Sequence, residues 1–209
     1  MVVRVEDKRY LPCQRILESE PLGRMFALRR PRLLILECIP KSDEYEEGEV
    51  LHRFLSMTDA KDIGLRKITT KKEFLGYLRR PRNLDGFNFV HLSGHGEMKE
   101  GAFELPRGIV YPDEFPNNCF EGKRVTLSAC GLSRDDFMTP FLDVTGARAA
   151  IAPRKDLRFD DASIWFMTFY YLMLHHRFTP AGAFDRANDM LCYGPRRGRV
   201  KGGFEYWYP

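Results

Sequence analysis

The chain has 209 residues, of which 44% are hydrophobic, 13% aromatic and 30% charged, and its formal net charge at pH 7 is +4. This length accommodates one full α/β domain with a sizeable core, but not two domains of ordinary size. No apolar run approaches the roughly 18 residues of a membrane span. The basic clusters are not interleaved with exposed aromatic residues, so we expect neither a membrane protein nor a nucleic-acid-binding face.

The cysteine pattern indicates the compartment. The five cysteines are odd in number, scattered and without a CxxC pair. This argues against a disulfide framework or a zinc ribbon, and it favours the reducing cytoplasm. The first ten residues lack the apolar segment of a signal peptide. We therefore expect a cytoplasmic protein that needs no metal or other cofactor.

Strands and helices alternate along most of the chain, after an ambiguous N-terminal extension at residues 1–31. Strands are predicted at residues 32–40, 62–69, 86–94, 124–129 and 147–153, and helices at residues 43–58, 69–81, 133–144, from 160 onward and 180–191. Residues 97–123 are rich in Gly, Pro and Asn, which predicts irregular loops or a hairpin. The last eight residues fit either a closing strand or a packed tail.

Two of the helices have a clear apolar face. Acidic residues open the helix at 43–58, and its apolar residues are Val50, Leu51, Phe54 and Leu55. The longest helix has its apolar residues at the spacing of one helical face: Ala162, Trp165, Phe166, Phe169 and Met173. Asp160 or Asp161 is predicted to be the N-cap of that helix. A threonine, Thr69 or Thr70, is predicted to cap the helix at 69–81.

The alternation of strands and helices predicts a mainly parallel sheet with helices on both faces. In such sheets, ligands bind beyond the carboxyl ends of the strands. His95 and Cys130 follow the ends of two consecutive predicted strands. If these strands are neighbours, about 4.8 Å apart, the two side chains share one edge of the sheet.

A cysteine and a histidine at one strand edge form a recognisable chemical pair. An imidazole can take the thiol proton and leave a nucleophilic thiolate. Gly96 and Gly131 leave the backbone open for a substrate carbonyl, and the N–H groups of Gly96 and Cys130 can serve as an oxyanion hole. The alternative is that Cys130 is an inert buried cysteine and His95 an ordinary turn residue.

The motifs "VHLSGHGE" and "VTLSACG" resemble the paired signature of the caspase-like (clan CD) cysteine peptidases, and most closely their bacterial CHAT branch, which is related to separase. The segments "GARAAIAP" and "DDASIWFMTFYYLM" resemble the following strand and helix of that family, so the resemblance covers residues 32 to about 191. It implies a caspase-hemoglobinase-like three-layer sandwich over residues 1–209, with His95 as the catalytic base and Cys130 as the nucleophile of an endopeptidase.

The resemblance also implies a biological setting. CHAT-type proteases commonly act in bacterial defence or regulated cell death and are controlled by a sensor. The expected partners are therefore a protein or peptide substrate and a separate regulatory or sensor protein. Two alternatives remain. One is a catalytically silent interaction module. The other is a nucleotide- or nucleic-acid-binding α/β domain, which is disfavoured because no glycine-rich phosphate-binding motif follows the first strand.

Three further residues near the dyad have open interpretations. His91 lies four residues before His95, and strand alternation would place both on one side of the pleat, but no carboxylate completes a metal site. Glu97 either orients His95 or is a solvated loop acid. Ser93 either forms a hydrogen bond near the site or is only a small residue in a tight turn.

Three acids after the fifth strand are candidates for the substrate pocket. Family members that cut after a basic residue place an acid beyond the strand that follows the cysteine. By this resemblance, we expect Arg or Lys at the P1 position, bound by Asp160 or Asp161 ahead of Asp156. A carboxylate without its basic partner would discriminate strongly against neutral P1 residues. The competing interpretation of Asp160 and Asp161 is that they cap the helix.

Overall fold

A computed structural model describes residues 31–43, 45–58, 62–191 and 203–209, so nearly all of the expected N-terminal extension lies outside it. The strands are β1 (Leu33–Glu37), β2 (Ile63–Lys67), β3 (Phe89–Ser93), β4 (His95–Glu97), β5 (Ala102–Leu105), β6 (Gly108–Val110), β7 (Arg124–Ser128), β8 (Ala149–Pro153) and β9 (Phe204–Trp207). The helices are α1 (Glu47–Ser56), α2 (Lys71–Leu78), α3 (Asp135–Thr145), α4 (Phe159–Leu174) and α5 (Pro180–Met190). Within these ranges no helix has both the length and the apolar character needed to span a bilayer.

Six strands form the central sheet in the order β2-β1-β3-β7-β8-β9. The first five are parallel, and β9 pairs antiparallel with β8 at the edge. The last residues are thus a closing strand, one of the two predicted possibilities. In the register of the three central strands, Ile35 lies beside His91, and His91 lies beside Thr126.

Helices cover both faces of this sheet, because the strands are apolar on both sides. In β1, Leu34 and Leu36 pack into a core with residues of α2 and α3, whereas Leu33 and Ile35 face a second core with residues of α1, α4 and α5. Side chains along a strand alternate between the two faces. The predicted three-layer α/β sandwich with a mainly parallel sheet is confirmed.

A second, small sheet follows β3. Strands β4, β5 and β6 pair antiparallel in sequence order. The hairpin, one of the two predicted possibilities for residues 97–123, is therefore present, but its sheet begins at His95 rather than beyond Glu97. Gly94 makes the sharp change of direction between the two sheets, where a Cβ would come within 2.7 Å of the Phe103 ring.

Helix starts are the main point at which the predictions were wrong. The first helix begins at Glu47 rather than near residue 43, and Val50 is 48% exposed rather than on its buried face. In α4, the N-cap is Arg158 and not Asp160 or Asp161, which lie in the first turn. The Asp160 carboxylate instead binds the Arg158 guanidinium. The predicted threonine cap of α2 is confirmed, since Thr70 accepts the backbone N–H of Glu73 at 3.1 Å.

Candidate active site

Two adjacent strand ends build the site. Strands β3 and β7 are neighbours, as predicted, and their last residues Ser93 and Ser128 lie side by side. Just beyond them, the N–H of Gly94 donates to the Ser128 carbonyl at 3.1 Å. A Cβ at Gly96 would overlap the carbonyl oxygen of Cys130, so these two turns pack backbone against backbone. Only glycine fits at position 96, because any side chain would push the two turns apart.

An aspartate holds the imidazole of His95. The Nε2 atom of His95 lies 2.7 Å from Oδ2 of Asp43, and both side chains are about one third exposed, at 36% and 32%. An ionised carboxylate can only accept a hydrogen bond, so this contact fixes the tautomer with the hydrogen on Nε2. The unprotonated Nδ1 is then the basic nitrogen of the ring. The Phe159 ring meets the imidazole edge-on at 5.9 Å between centroids.

The sequence interpretation missed Asp43, which it placed inside the first helix. The residue belongs to the turn between β1 and α1, at the carboxyl end of the strand that neighbours β3. The sequence did contain a signal for Asp43. An acid that follows β1 can reach His95, because β1 and β3 are parallel neighbours and end at the same edge of the sheet. Glu97 does not hold His95; its carboxylate accepts the backbone N–H of Lys99 at 3.0 Å.

The thiol of Cys130 is bonded to the segment that follows β8. It accepts the N–H of Leu157 at 3.4 Å and donates to the Leu157 carbonyl at 3.5 Å. Gly131 turns the chain with a φ of +66°, and its N–H donates to the Lys155 carbonyl at 3.3 Å. Burial raises the pKa of the Cys130 thiol and Asp156 raises it further, whereas the backbone hydrogen bond with Leu157 lowers it. The thiol is therefore protonated at neutral pH, and its conversion to a thiolate would require a base.

The three predicted pocket acids have different surroundings. Asp156 lies beside the Cys130 thiol, whose pKa it affects. Asp160 forms a two-point contact with Arg158, at 2.9 and 3.0 Å, and this guanidinium lowers the pKa of Asp160. Asp161 donates its backbone N–H to the Asp160 carboxylate at 3.1 Å. Of the three acids, Asp156 is the one that interacts with the Cys130 thiol.

The predicted placement of His91 and His95 on one side of a single strand is wrong. Strand β3 ends at Ser93, and His95 opens β4 in the other sheet. His91 is fully buried, and its ring nitrogens lie 2.8 Å from Thr126 Oγ1 and 3.4 Å from Glu47 Oε2. Among the residues that the structure describes, no cluster of three or more potential metal ligands occurs.

The fold is similar to that of solved clan CD peptidases. Caspase-1 from Spodoptera frugiperda superposes with a TM-score of 0.54 at 13% sequence identity, and the match covers 86% of each chain. The complex of Porphyromonas gingivalis RgpB pro- and mature domains gives a TM-score of 0.51 at 11% identity, over 76% of this chain and 42% of that one. The sequence matches no protein-family model and no curated protein. These likenesses define the class of fold, which is caspase-like.

Proposed function

We propose that this chain is a cysteine endopeptidase in which Cys130 is the nucleophile, His95 the general base and Asp43 the residue that orients His95. The observation that carries the proposal is the contact between the Gly96 and Cys130 turns, beside an imidazole held at 2.7 Å by an aspartate. Nucleophile, base and orienting group are the three parts that thiol catalysis requires. The caspase-like fold supports this reading.

The reaction follows from the hydrogen bonds. His95 Nδ1 takes the proton of the Cys130 thiol, and the thiolate attacks the carbonyl carbon of the peptide bond. The negative charge that develops on the carbonyl oxygen is stabilised by the N–H groups of Gly96 and Cys130, with about 2.7–4 kcal/mol per donor in comparable sites. His95 then returns its proton to the leaving amine, and water hydrolyses the thioester with His95 as base.

The resting arrangement favours an enzyme that requires activation. Burial and the Asp156 carboxylate raise the pKa of the Cys130 thiol, although the backbone of Leu157 lowers it, and the two contacts with Leu157 tie the thiol to the segment after β8. In our proposal, a separate sensor or regulatory protein releases this segment. This fits the CHAT branch and a cytoplasmic role in bacterial defence or cell death, with another protein as the substrate. The same bonds also suit the alternative, a silent interaction module that never releases the thiol.

Alkylation by iodoacetamide separates these two functions without knowledge of the substrate. The rate of modification at Cys130, read by mass spectrometry of its peptide, should fall about tenfold or more in His95→Ala, because the base is lost. Asp43→Asn should also slow it, since an amide no longer fixes the productive tautomer. Cys119→Ala, in which a cysteine outside the site is removed, is the matched control and should react as the wild type does. Equal rates in wild type and His95→Ala would favour the silent module.

For the substrate, we propose a basic P1 residue bound by Asp156. The sequence prediction favoured Asp160 or Asp161, but the contact of Asp160 with Arg158 already neutralises that carboxylate. Asp156 lies beside the nucleophile, where the P1 side chain of a bound substrate must be near. A peptide-library profile of the activated enzyme should show Arg or Lys at P1, and Asp156→Asn should reduce this preference more than Asp160→Asn. A preference for acidic or uncharged P1 residues would contradict the proposal.

A further inference from the structure

A set of buried polar side chains lies beneath the candidate active site, between the central sheet and helices α1 and α4. We call it the buried polar network. Its members are at most 3% exposed: Glu37, Glu47, His91, Ser93, Thr126 and Tyr170. The catalytic proposal uses none of them. Strand alternation explains their common location, because the members from β1, β3 and β7 occupy neighbouring register positions on the same face.

Hydrogen bonds join these side chains into one chain. Ser93 Oγ donates to Glu47 Oε2 at 2.5 Å, and His91 Nε2 lies 3.4 Å from the same oxygen. The other ring nitrogen of His91 lies 2.8 Å from Thr126 Oγ1, which is 2.6 Å from the Tyr170 hydroxyl.

Glu37 joins the other end of this chain. Its Oε1 lies 3.3 Å from Ser93 Oγ, and its Oε2 accepts the N–H of Glu49 at 2.9 Å. The network therefore connects the end of β1, the start of α1 and the end of β3 at one place.

One distribution of protons satisfies every contact. The single hydroxyl proton of Ser93 goes to Glu47, so the contact between Ser93 and Glu37 requires a proton on Glu37. Burial raises the pKa of Glu37 to about 6, and the charge of Glu47 also raises it. The remaining negative charge is on Glu47, the first residue of α1, where the helix dipole favours it. Below about pH 6, the pair of carboxyl groups thus holds one proton.

This network connects the two chain segments that carry the proposed base and its orienting acid. Glu47 follows Asp43 by four residues, and Ser93 precedes His95 by two. We propose that Glu47 is a positioning residue whose hydrogen bond to Ser93 fixes the start of α1 against the end of β3, and thereby holds Asp43 at the His95 ring. This inference rests on the proposed function, because the bond between Asp43 and His95 matters only if His95 is the base.

The cost of the arrangement supports a role in geometry. Within the described ranges, Glu47 Oε1 is the buried side-chain oxygen or nitrogen without a hydrogen-bond partner, and such an atom is unfavourable in an apolar interior. Well-packed hydrophobic residues of similar volume often stabilise a fold as well as or better than buried polar groups do. What apolar residues cannot supply is a directional bond between two specific segments.

The test measures how much of the Cys130 alkylation rate depends on His95. The rate is measured in Ser93→Ala and in Glu47→Gln, and again in each variant after His95→Ala has been added. The ratio of the two rates is the His95-dependent enhancement. In Ser93→Ala, the His95-dependent enhancement should fall about tenfold, the equivalent of one lost hydrogen bond to a charged group. In Glu47→Gln, it should fall less, because the amide oxygen still accepts the Ser93 hydroxyl. Nuclear magnetic resonance of the His95 ring should show a shifted signal in Ser93→Ala, which removes the bond, but not in Glu47→Gln, which keeps it.

Thr145→Val is the matched control, since Thr145 is also fully buried and bonded, but to the Phe141 carbonyl in α3. It should keep both the enhancement and the His95 signal. Retention of the full enhancement together with an unshifted His95 signal in folded Ser93→Ala would overturn the positioning role while leaving the catalytic proposal intact. Should Ser93→Ala not fold, the same result in Glu47→Leu, which also removes the bond between Glu47 and Ser93, would overturn it. An enhancement that is absent already in the wild type would refute the catalytic proposal itself.

Discussion

The two layers that cover the central sheet differ in what they contain. The layer with α2 and α3 is mainly apolar, and the Phe115 ring contacts both the Phe74 and the Phe141 rings there. The layer with α1 and α4 has an apolar core as well, but it also contains the buried polar network next to the candidate site. Alternate residues of the same strands face the two layers. The difference suggests that one layer mainly stabilises the fold, and that the other also fixes the geometry of the site.

The largest effect on stability is expected from the apolar layer. Phe141 is fully buried and contacts the Phe115 ring at 5.0 Å and the Phe137 ring at 5.6 Å. Phe141→Ala should lower the free energy of unfolding by about 3–5 kcal/mol, through lost burial and a residual cavity. Urea denaturation measures this change in the free energy of unfolding. Ile164→Ala, at a position that is 42% exposed on α4, is the control and should change it by less than about 0.5 kcal/mol.

The same variant tests the comparison between the layers. In the folded fraction of Phe141→Ala, the His95-dependent alkylation of Cys130 should remain at its wild-type level, because no network residue is altered. A loss as large as that expected for Ser93→Ala would show that the geometry of the site depends on both layers equally.

The sequence could predict the parts of this fold that follow from periodicity. The mainly apolar runs that end before Gly94 and Cys130 indicate strands covered on both faces, and their succession predicts that they are neighbours. The residues at which the helices begin were harder to predict from the sequence. Asp43 is one of several acids in the segment before α1, and only the length of the turn after β1 decides which of them reaches His95.

The buried polar network was hidden for a different reason. Three mainly apolar strands each contribute a polar residue to the network: Glu37, His91 and Thr126. The sequence of a single strand does not show which partner its polar residue has. Their partnership depends on the register between β1, β3 and β7, which is a long-range property that no local pattern contains. A polar residue within a buried strand is nevertheless a usable signal, because such a group needs a partner.

The second prediction concerns the pH dependence of stability. The folded-state pKa of Glu37 is about 6, above its ordinary value of 4.5, because burial and the charge of Glu47 oppose ionisation, although His91 and the N–H groups of Gly48 and Glu49 lower the pKa. The native state therefore binds this proton more tightly than the unfolded state does. The associated stability is fully present below about pH 4.5 and is lost as the pH rises through about 6, with a total of about 2 kcal/mol.

Urea denaturation at pH 4.5 and pH 7.5 measures the pH-dependent stability that Glu37 contributes. Glu37→Gln should remove this contribution, since a neutral amide does not titrate. The control Thr145→Val should keep the wild-type dependence on pH. If Glu37→Gln lost as much stability as the wild type over this range, the shared proton would have to be assigned to another group.

The smallest effect is expected at the far end of the network. Tyr170→Phe removes one hydroxyl, which lies 2.6 Å from Thr126 Oγ1, while Thr126 keeps its contact with His91. The loss of one such bond should cost about 1 kcal/mol of unfolding free energy. Burial raises the pKa of Tyr170, so its hydroxyl stays protonated and the loss should be the same at pH 4.5 and pH 7.5. Tyr171→Phe, on the adjacent ring that stacks on His175, is the control and should be nearly neutral.

Tyr170→Phe also tests how far the positioning effect extends. Because Tyr170 is separated from Ser93 by three further members of the network, the alkylation rate of Cys130 should change by less than about twofold. A larger change would mean that the whole network, and not the bond between Glu47 and Ser93, positions the site.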